Sequence, residues 1–172
     1  VTASIDRLPP QDRDLLRRIA VLGRSFPEDL VGAVLEPTTS LDQSAWSRVE
    51  AYLARELSGR LAFEHAVVRD CAYEGLSYRA RREIHSRVGD AIRESATARE
   101  EAPVELLSLH YLRAERFEEA FAYSRTAAEQ AAEIFADHEA AELYERALEA
   151  ARRCQEIPAS EHARLRESLG DV

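Results

Sequence analysis

The side chains best suited to binding chemistry lie close together in one stretch, from Phe63 to His85. It reads FEHAVVRDCAYEGLSYRARREIH and contains two imidazoles, two phenols and four guanidiniums. An imidazole can donate a hydrogen bond to a phosphate, and it gains charge near neutral pH. An arginine beside an aspartate can form ion pairs with a neighbouring segment. The candidate site residues are Phe63, His65, Arg69, Asp70, Tyr73 and His85.

The chain lacks the residues and spacings that most catalytic sites need. All 23 basic residues are arginine, so no P-loop lysine and no Schiff-base lysine is available. No Ser/His/Asp, Cys/His or clustered-carboxylate arrangement is visible in the sequence. The cysteines, Cys71 and Cys154, form no CxxC motif, and the other histidines lack the close spacing of metal ligands. The sequence therefore predicts no enzyme activity, metal or cofactor within this chain.

Composition favours a cytoplasmic bacterial protein of one large or two small domains. The 172 residues have an ordinary apolar share, and two widely spaced cysteines favour a reducing compartment. No signal-peptide pattern and no run of about 18 apolar residues is present, so no membrane contact is expected. The absence of an initial methionine and the abrupt LGDV ending predict a fragment of a larger protein.

Residues 1–77 are predicted to form a small mixed domain. Apolar periodicity indicates three helices, at about 10–22, 26–35 and 42–53. Ser58-Gly59 is a turn signal, and the alternation over 60–63 indicates a strand that pairs with a short strand near 56–57. Three helices followed by a small hairpin are typical of the winged-helix fold.

A fourth helix is predicted to begin near Ala66, directly after the hairpin. Its apolar face would carry Val67, Cys71 and Tyr73, with the polar Arg69 and Asp70 on the opposite side. On that side, Arg69 and Asp70 would be positioned to pair with groups across the seam between residues 1–77 and 78–172.

The charge pattern argues against DNA binding by the predicted winged helix. A DNA reader needs net positive charge to neutralise phosphates, whereas residues 1–95 carry 14 Arg against 15 acids, a net charge of −1. Around the third helix, Arg48 and Arg55 are opposed by Asp42, Glu50 and Glu56. The remaining basic cluster, Arg79, Arg81 and Arg82 with Glu83 beside it, is interpreted as a solvated helix face.

Residues 78–172 are predicted to form helices throughout. Periodicity indicates a long helix from Tyr78, then helices at about 104–114, 117–135 and 137–153, and a last one from about 160. Ala140, Tyr144 and Ala147 have the small, aromatic, small spacing of the second helix of a tetratricopeptide (TPR) repeat, which Ala120, Ser124 and Ala127 match more weakly. The expected fold is therefore mostly α: a winged-helix domain, then an α-solenoid of TPR-like helical hairpins.

Taken together, the chain resembles the winged-helix and TPR-like region of bacterial STAND-class signalling ATPases. The resemblance rests on FEHAVVRDCAYEGL, which matches FxHxxVRDxAYxxL, on the RRxxH pattern from Arg81-Arg82 to His85, and on the helical repeats that follow. That class includes proteins in which a nucleotide cyclase domain precedes an AAA-like ATPase, and the large LuxR-type transcription regulators.

The resemblance implies a non-catalytic regulatory module that couples an ATPase switch to a helical-repeat sensor arm. Its partners would be the ATPase domain of the same protein, together with a protein or a small-molecule signal on the repeats. ADP or ATP would bind in the parent protein, where His65 is placed like the histidine of the Met-His-Asp motif that faces ADP in related switches. Glu64 and Ala66 replace the Met and Asp of that motif. A capping or packing role is the alternative for His65.

Two other function classes remain open from the sequence. One is a DNA-binding winged-helix transcription regulator, which a basic stripe on the third helix would favour. The other is a free-standing TPR adaptor. Residues 96–172 carry 9 Arg against 17 acids, a net charge of −8, which favours a protein partner with basic patches.

Overall fold

The computed structural model describes residues 5, 7–35, 42–97 and 103–172. The described part of the chain is mostly α-helical, as the sequence predicts, and it contains a three-stranded antiparallel sheet where the sequence predicts a two-stranded hairpin. It divides into two compact units, Val1–Ala91 and Ile92–Val172. The domain limits expected from the sequence, 1–77 and 78–172, remain predictions. No described helix is both long enough and apolar enough to cross a membrane.

The first unit contains the sheet and the shorter helices. Its helices are α1 (Pro10–Ile19), α2 (Val31–Val34), α3 (Gln43–Glu50), α4 (Ala66–Glu74) and the first part of α5 (Tyr78–Thr97). Its strands are β1 (Ser25–Phe26), β2 (Leu53–Arg55) and β3 (Leu61–Phe63), in the order β1-β3-β2. The core forms where α1 packs against α3 and α4.

Helix α1 shows how the sequence specifies this core. Pro10 occupies its first turn, where a missing N–H costs nothing, and Leu15, Leu16 and Ile19 are buried on one face. The helix was predicted to continue to Leu22, but residues 20–22 form a tighter 3₁₀ turn. Gly23 then turns the chain with φ 103°, a conformation that favours glycine, and leads it into β1.

The sheet differs from the predicted hairpin in two respects. The partner of β3 is Leu53–Arg55, not residues 56–57, because the turn is longer: Glu56 N–H donates to the Arg60 carbonyl at 2.9 Å. Strand β1 was missed, since a helix was predicted to begin at Phe26. Phe26 instead pairs with Leu61 in the ladder. The third helix correspondingly ends at Glu50, earlier than predicted.

Helix α4 begins at Ala66 as predicted, but it buries a different face. Val68 and Ala72 are buried, whereas Val67 is 56% exposed. The predicted face of Val67, Cys71 and Tyr73 is therefore wrong by one residue. Packing against α1 and the 3₁₀ turn sets the rotation of this helix, and its own periodicity is too short to fix it.

The second unit consists of successive helices that are joined by short turns. Its main helices are α6 (Val104–Arg113), α7 (Phe117–Glu133), α8 (Asp137–Arg153) and α9 (Ala159–Gly170), each packed on the next. The bounds of α8 agree with the prediction. Both small-residue triads are buried: Ala140, Tyr144, Ala147 and Ala120, Ser124, Ala127. Small side chains let neighbouring helices approach closely.

Two turns in this unit have the same backbone conformation. Glu115 (φ 59°) ends α6 and Phe135 (φ 58°) ends α7, both in the left-handed region. In each turn the following N–H donates to the carbonyl five residues earlier: Arg116 to Tyr111 at 2.9 Å, and Ala136 to Ala131 at 3.0 Å. This is the Schellman helix ending, in which glycine is the usual left-handed residue. Helix α7 was predicted to run to Phe135, and this turn ends it at Glu133.

Candidate functional site around Tyr73

Tyr73 is the centre of a cluster of charged and aromatic side chains in the first unit. It lies on α4, one turn beyond Arg69, and the Arg69 guanidinium carbon is 4.7 Å from the centre of its ring. The Arg81 guanidinium carbon, from α5, is 4.8 Å from the same ring centre. Both distances are within the range of a cation–π interaction. We call these residues, together with His85, the Tyr73 cluster.

His85 completes the Tyr73 cluster from α5. Its side chain is buried, its Nε2 lies 3.1 Å from the Tyr73 hydroxyl, and the two rings meet edge to face with centroids 5.9 Å apart. A hydrogen bond between a phenol and a buried imidazole satisfies two polar groups at once. The structure thus brings together Tyr73 and His85, which are twelve residues apart in sequence.

Backbone carbonyls fix both arginines of the cluster. Arg69 Nε donates to the Ala20 carbonyl at 2.9 Å. Arg81 donates from Nε to the Leu76 carbonyl and from Nη2 to the Glu74 carbonyl, each at 3.1 Å. The arginines therefore tie α4 to the end of α1 and to the start of α5, and the Tyr73 ring fills the space between the tied segments.

The remaining candidate residues lie at the edge of this arrangement. Asp70 is exposed and pairs with its neighbour Arg69 at 3.1 Å, and the expected pairing across the seam remains a prediction. Phe63 is buried in β3 and packs on Phe26 with ring centroids 6.3 Å apart. His65 is exposed at the residue that precedes α4, and its side chain makes no capping hydrogen bond. His65 thus occupies the N-cap position of α4 without a side-chain capping bond, and the packing alternative stays a prediction.

The arginines that a nucleic-acid interface would need form ion pairs with carboxylates. Arg48 on α3 forms a two-pronged ion pair with Asp12, which is fully buried, with Nη2 to Oδ1 at 2.9 Å. The Arg48 hydrogen bond lowers the pKa of Asp12, although burial of the carboxyl opposes the shift. Arg55 donates to Glu28 and Arg79 to Glu83. The described surface of α3 therefore presents a neutralised arginine.

The described residues offer no preformed metal centre, and a cavity is found in the second unit. No group of three or more His, Cys, Asp or Glu side chains in the described ranges converges as metal ligands would. A cavity of about 320 Å³ in the second unit is lined in part by Arg125, Glu161 and Arg164. Glu161 accepts from both arginines, at 3.1 and 3.0 Å, and the wall as a whole carries four carboxylates against these two arginines.

Sequence reasoning missed two features of this region. Arg81 was grouped with Arg79 and Arg82 as a solvated face, but it is half-buried against Tyr73; its place in the RRxxH pattern was the available signal. The buried Asp12 was not singled out at all, since an aspartate in the first turn of a helix is ordinarily a surface residue that favours the helix dipole.

Comparisons with known proteins do not assign the chain to a family. No protein-family model matches it, and neither a curated protein nor a solved structure is significantly similar to it. The functional argument therefore depends on the residues and their geometry.

Proposed function

We propose that this chain is a non-catalytic regulatory and protein-interaction module of a larger signalling ATPase, with a winged-helix first unit and TPR-like repeats in the second. The observation that carries the proposal is the element order of the first unit: helix, strand, helix, helix and hairpin, with β1 paired to β3 and the FEHAVVRDCAYEGL motif directly after the hairpin. That order is the one expected of a winged helix, and it supports the proposal. The parent would be a nucleotide cyclase or a transcription regulator.

The Tyr73 cluster is the coupling element in this proposal. Its contacts join α1, α4 and the start of α5, so a displacement of one of these helices strains the hydrogen bonds to the others. An ATPase packed on the first unit would be sensitive to such a displacement. Coupling between sites requires an element that both of them bias, and the proposal assigns this role to the cluster, in which His85 is buried and the other three residues are half-buried.

The neutralised α3 surface favours this function over DNA recognition. In a winged helix that reads DNA, the third helix enters the major groove and its cations contact phosphates and bases. Arg48 would have to leave a buried aspartate to do so, and that aspartate would remain without its partner.

The proposed nucleotide contact is His65. Its side chain is exposed and directly follows the hairpin, so it is accessible to a ligand held by another domain. In the parent protein, His65→Ala is expected to weaken ADP retention, and unchanged ADP affinity and activity would remove the residue from the proposal. Glu64→Gln is a suitable control, because the neighbouring side chain is also exposed.

The test of the function uses the full-length protein to which these residues belong, with and without residues 1–172. ATPase turnover and tightly bound ADP are measured on both proteins. Increased turnover or loss of bound ADP on deletion supports the regulatory function. A full-length protein with no ATPase activity in either form, or with turnover indifferent to the deletion, would overturn the proposal.

A further inference from the structure

The turn between α7 and α8 exposes two large apolar side chains side by side. Ile134 is 73% exposed and Phe135 is 88% exposed. Most other large apolar side chains in the described part of this unit are buried or half-buried; Leu107, Tyr111 and Leu143 are buried. An exposed aliphatic-aromatic pair at the tip of a helical hairpin is accessible to a partner from several directions.

Phe135 has a backbone conformation in which a phenylalanine is unusual. A left-handed φ of 58° disfavours any residue with a Cβ, and glycine or asparagine would fit with less strain. The equivalent residue of the preceding turn is Glu115, which is polar. Folding of the turn therefore gives no reason for an exposed phenylalanine at this position.

The surroundings of this pair are acidic. Between Arg125 and Arg146 the chain has no basic residue other than His138, while it has six carboxylates: Glu129, Glu133, Asp137, Glu139, Glu142 and Glu145. Glu129, Glu133, Asp137 and Glu139 are exposed. We call Ile134 and Phe135 with these four carboxylates the acidic tip.

We propose that the acidic tip docks a basic, amphipathic peptide segment of a protein partner. An apolar anchor of that segment contacts Phe135 and Ile134, and arginines or lysines on either side of the anchor pair with the carboxylates. This arrangement has an apolar centre, a polar rim and an aromatic anchor, as protein interfaces do. Charge complementarity selects the basic partner, because an acidic segment would be repelled by four exposed carboxylates. The inference rests on the proposed interaction function of the helical unit.

The probe is a library of random 16-residue peptides displayed on phage, selected on the 172-residue chain. Phe135→Gly is used for counter-selection, since it removes the ring and also relieves the left-handed backbone. Glu115→Gly is the matched control, because it makes the same backbone change in the equivalent turn. Selected peptides are synthesised and their affinities measured by fluorescence anisotropy at two salt concentrations.

The expected peptides carry Arg or Lys on both sides of an apolar residue. They should bind Phe135→Gly at least about tenfold more weakly, bind Glu115→Gly as they bind the wild type, and weaken as salt is raised. Peptides that are not basic, that keep their affinity for Phe135→Gly, or that fail to enrich overturn the proposal. A dimer of the wild type in sedimentation, lost in Phe135→Gly, would also overturn it, since a second copy would then cover the tip.

Failure of this test is distinguishable from failure of the proposed function. If deletion of residues 1–172 changes ATPase turnover while the acidic tip binds no basic peptide, the regulatory function stands and the tip is not its docking surface. If basic peptides bind the tip but turnover ignores the deletion, the tip belongs to an adaptor.

Discussion

His110 should make the stability of the helical unit fall between neutral pH and pH 5. The residue lies on α6 and is only 2% exposed, and this burial lowers its pKa from 6.5 to about 4. The unfolded chain binds a proton near pH 6.5, but the folded chain does so only near pH 4. Stability is therefore fully present above pH 6.5 and is lost as the pH falls towards 4.

The size of the loss follows from the two pKa values. One pH unit over which only the unfolded state binds the proton costs about 1.4 kcal/mol. A pH of about 5 lies about 1.5 units below the unfolded value and still above the folded one, so the loss should be about 2 kcal/mol. That is a large fraction of the stability of an ordinary domain.

The assay compares urea unfolding at about pH 7.5 and about pH 5 for the wild type, His110→Leu and His138→Gln. Far-UV circular dichroism follows the helices, and fluorescence of Trp46, the single tryptophan, follows the first unit separately. His110→Leu should lose about 2 kcal/mol less than the wild type on acidification. His138 has a 94% exposed side chain, so His138→Gln should behave as the wild type does. Equal acid losses in the wild type and His110→Leu would refute the reasoning.

Three further predictions concern single side chains. Arg48 lowers the pKa of Asp12, so the ion pair stabilises the fold above about pH 3.8, and this stabilisation is lost as the pH falls below that value. Asp12→Asn should therefore lose less free energy of unfolding on acidification than the wild type, and an equal loss would contradict this. Tyr73→Phe removes the hydrogen bond to His85 and should lower the free energy of unfolding by about 0.5–1.5 kcal/mol; urea titration checks this, and no loss would mean that the bond contributes nothing. Phe135→Gly relieves a left-handed φ and should raise the free energy of unfolding by about 0.5–1 kcal/mol, whereas Phe135→Ala, which keeps the Cβ, should not; equal stabilities of the two variants in thermal unfolding would contradict the assigned strain.

The sequence predicts the long helices well, because the same apolar spacing recurs over several turns of each helix. Helix α8 has the predicted bounds, with Ala140, Tyr144 and Ala147 buried on one side. In α5, Ile84 and Val88 lie four residues apart and are both buried. Over more than four turns, an error of one residue in phase would expose several apolar side chains, so the pattern has a single solution.

Short elements were predicted less well, since their own residues do not determine them. Strand β1 has only two residues and no periodicity, and its pairing with β3 is a tertiary event. Helix α4 has nine residues, and the choice between Val67 and Val68 as its buried valine depends on where α1 lies. The cluster follows the same rule: Tyr73 and His85 were both singled out, but the contact of Arg81 with the ring requires the relative placement of α4 and α5.

ATPase turnover of the full-length protein carrying Tyr73→Leu tests the proposed coupling most directly. The substitution removes the ring that Arg69 and Arg81 contact. The control is Arg79→Ala, which changes an exposed side chain that pairs with Glu83. With folding verified by Trp46 fluorescence, Tyr73→Leu should change turnover by about fivefold or more, while Arg79→Ala leaves it unchanged. Wild-type turnover in a folded Tyr73→Leu protein would contradict the account.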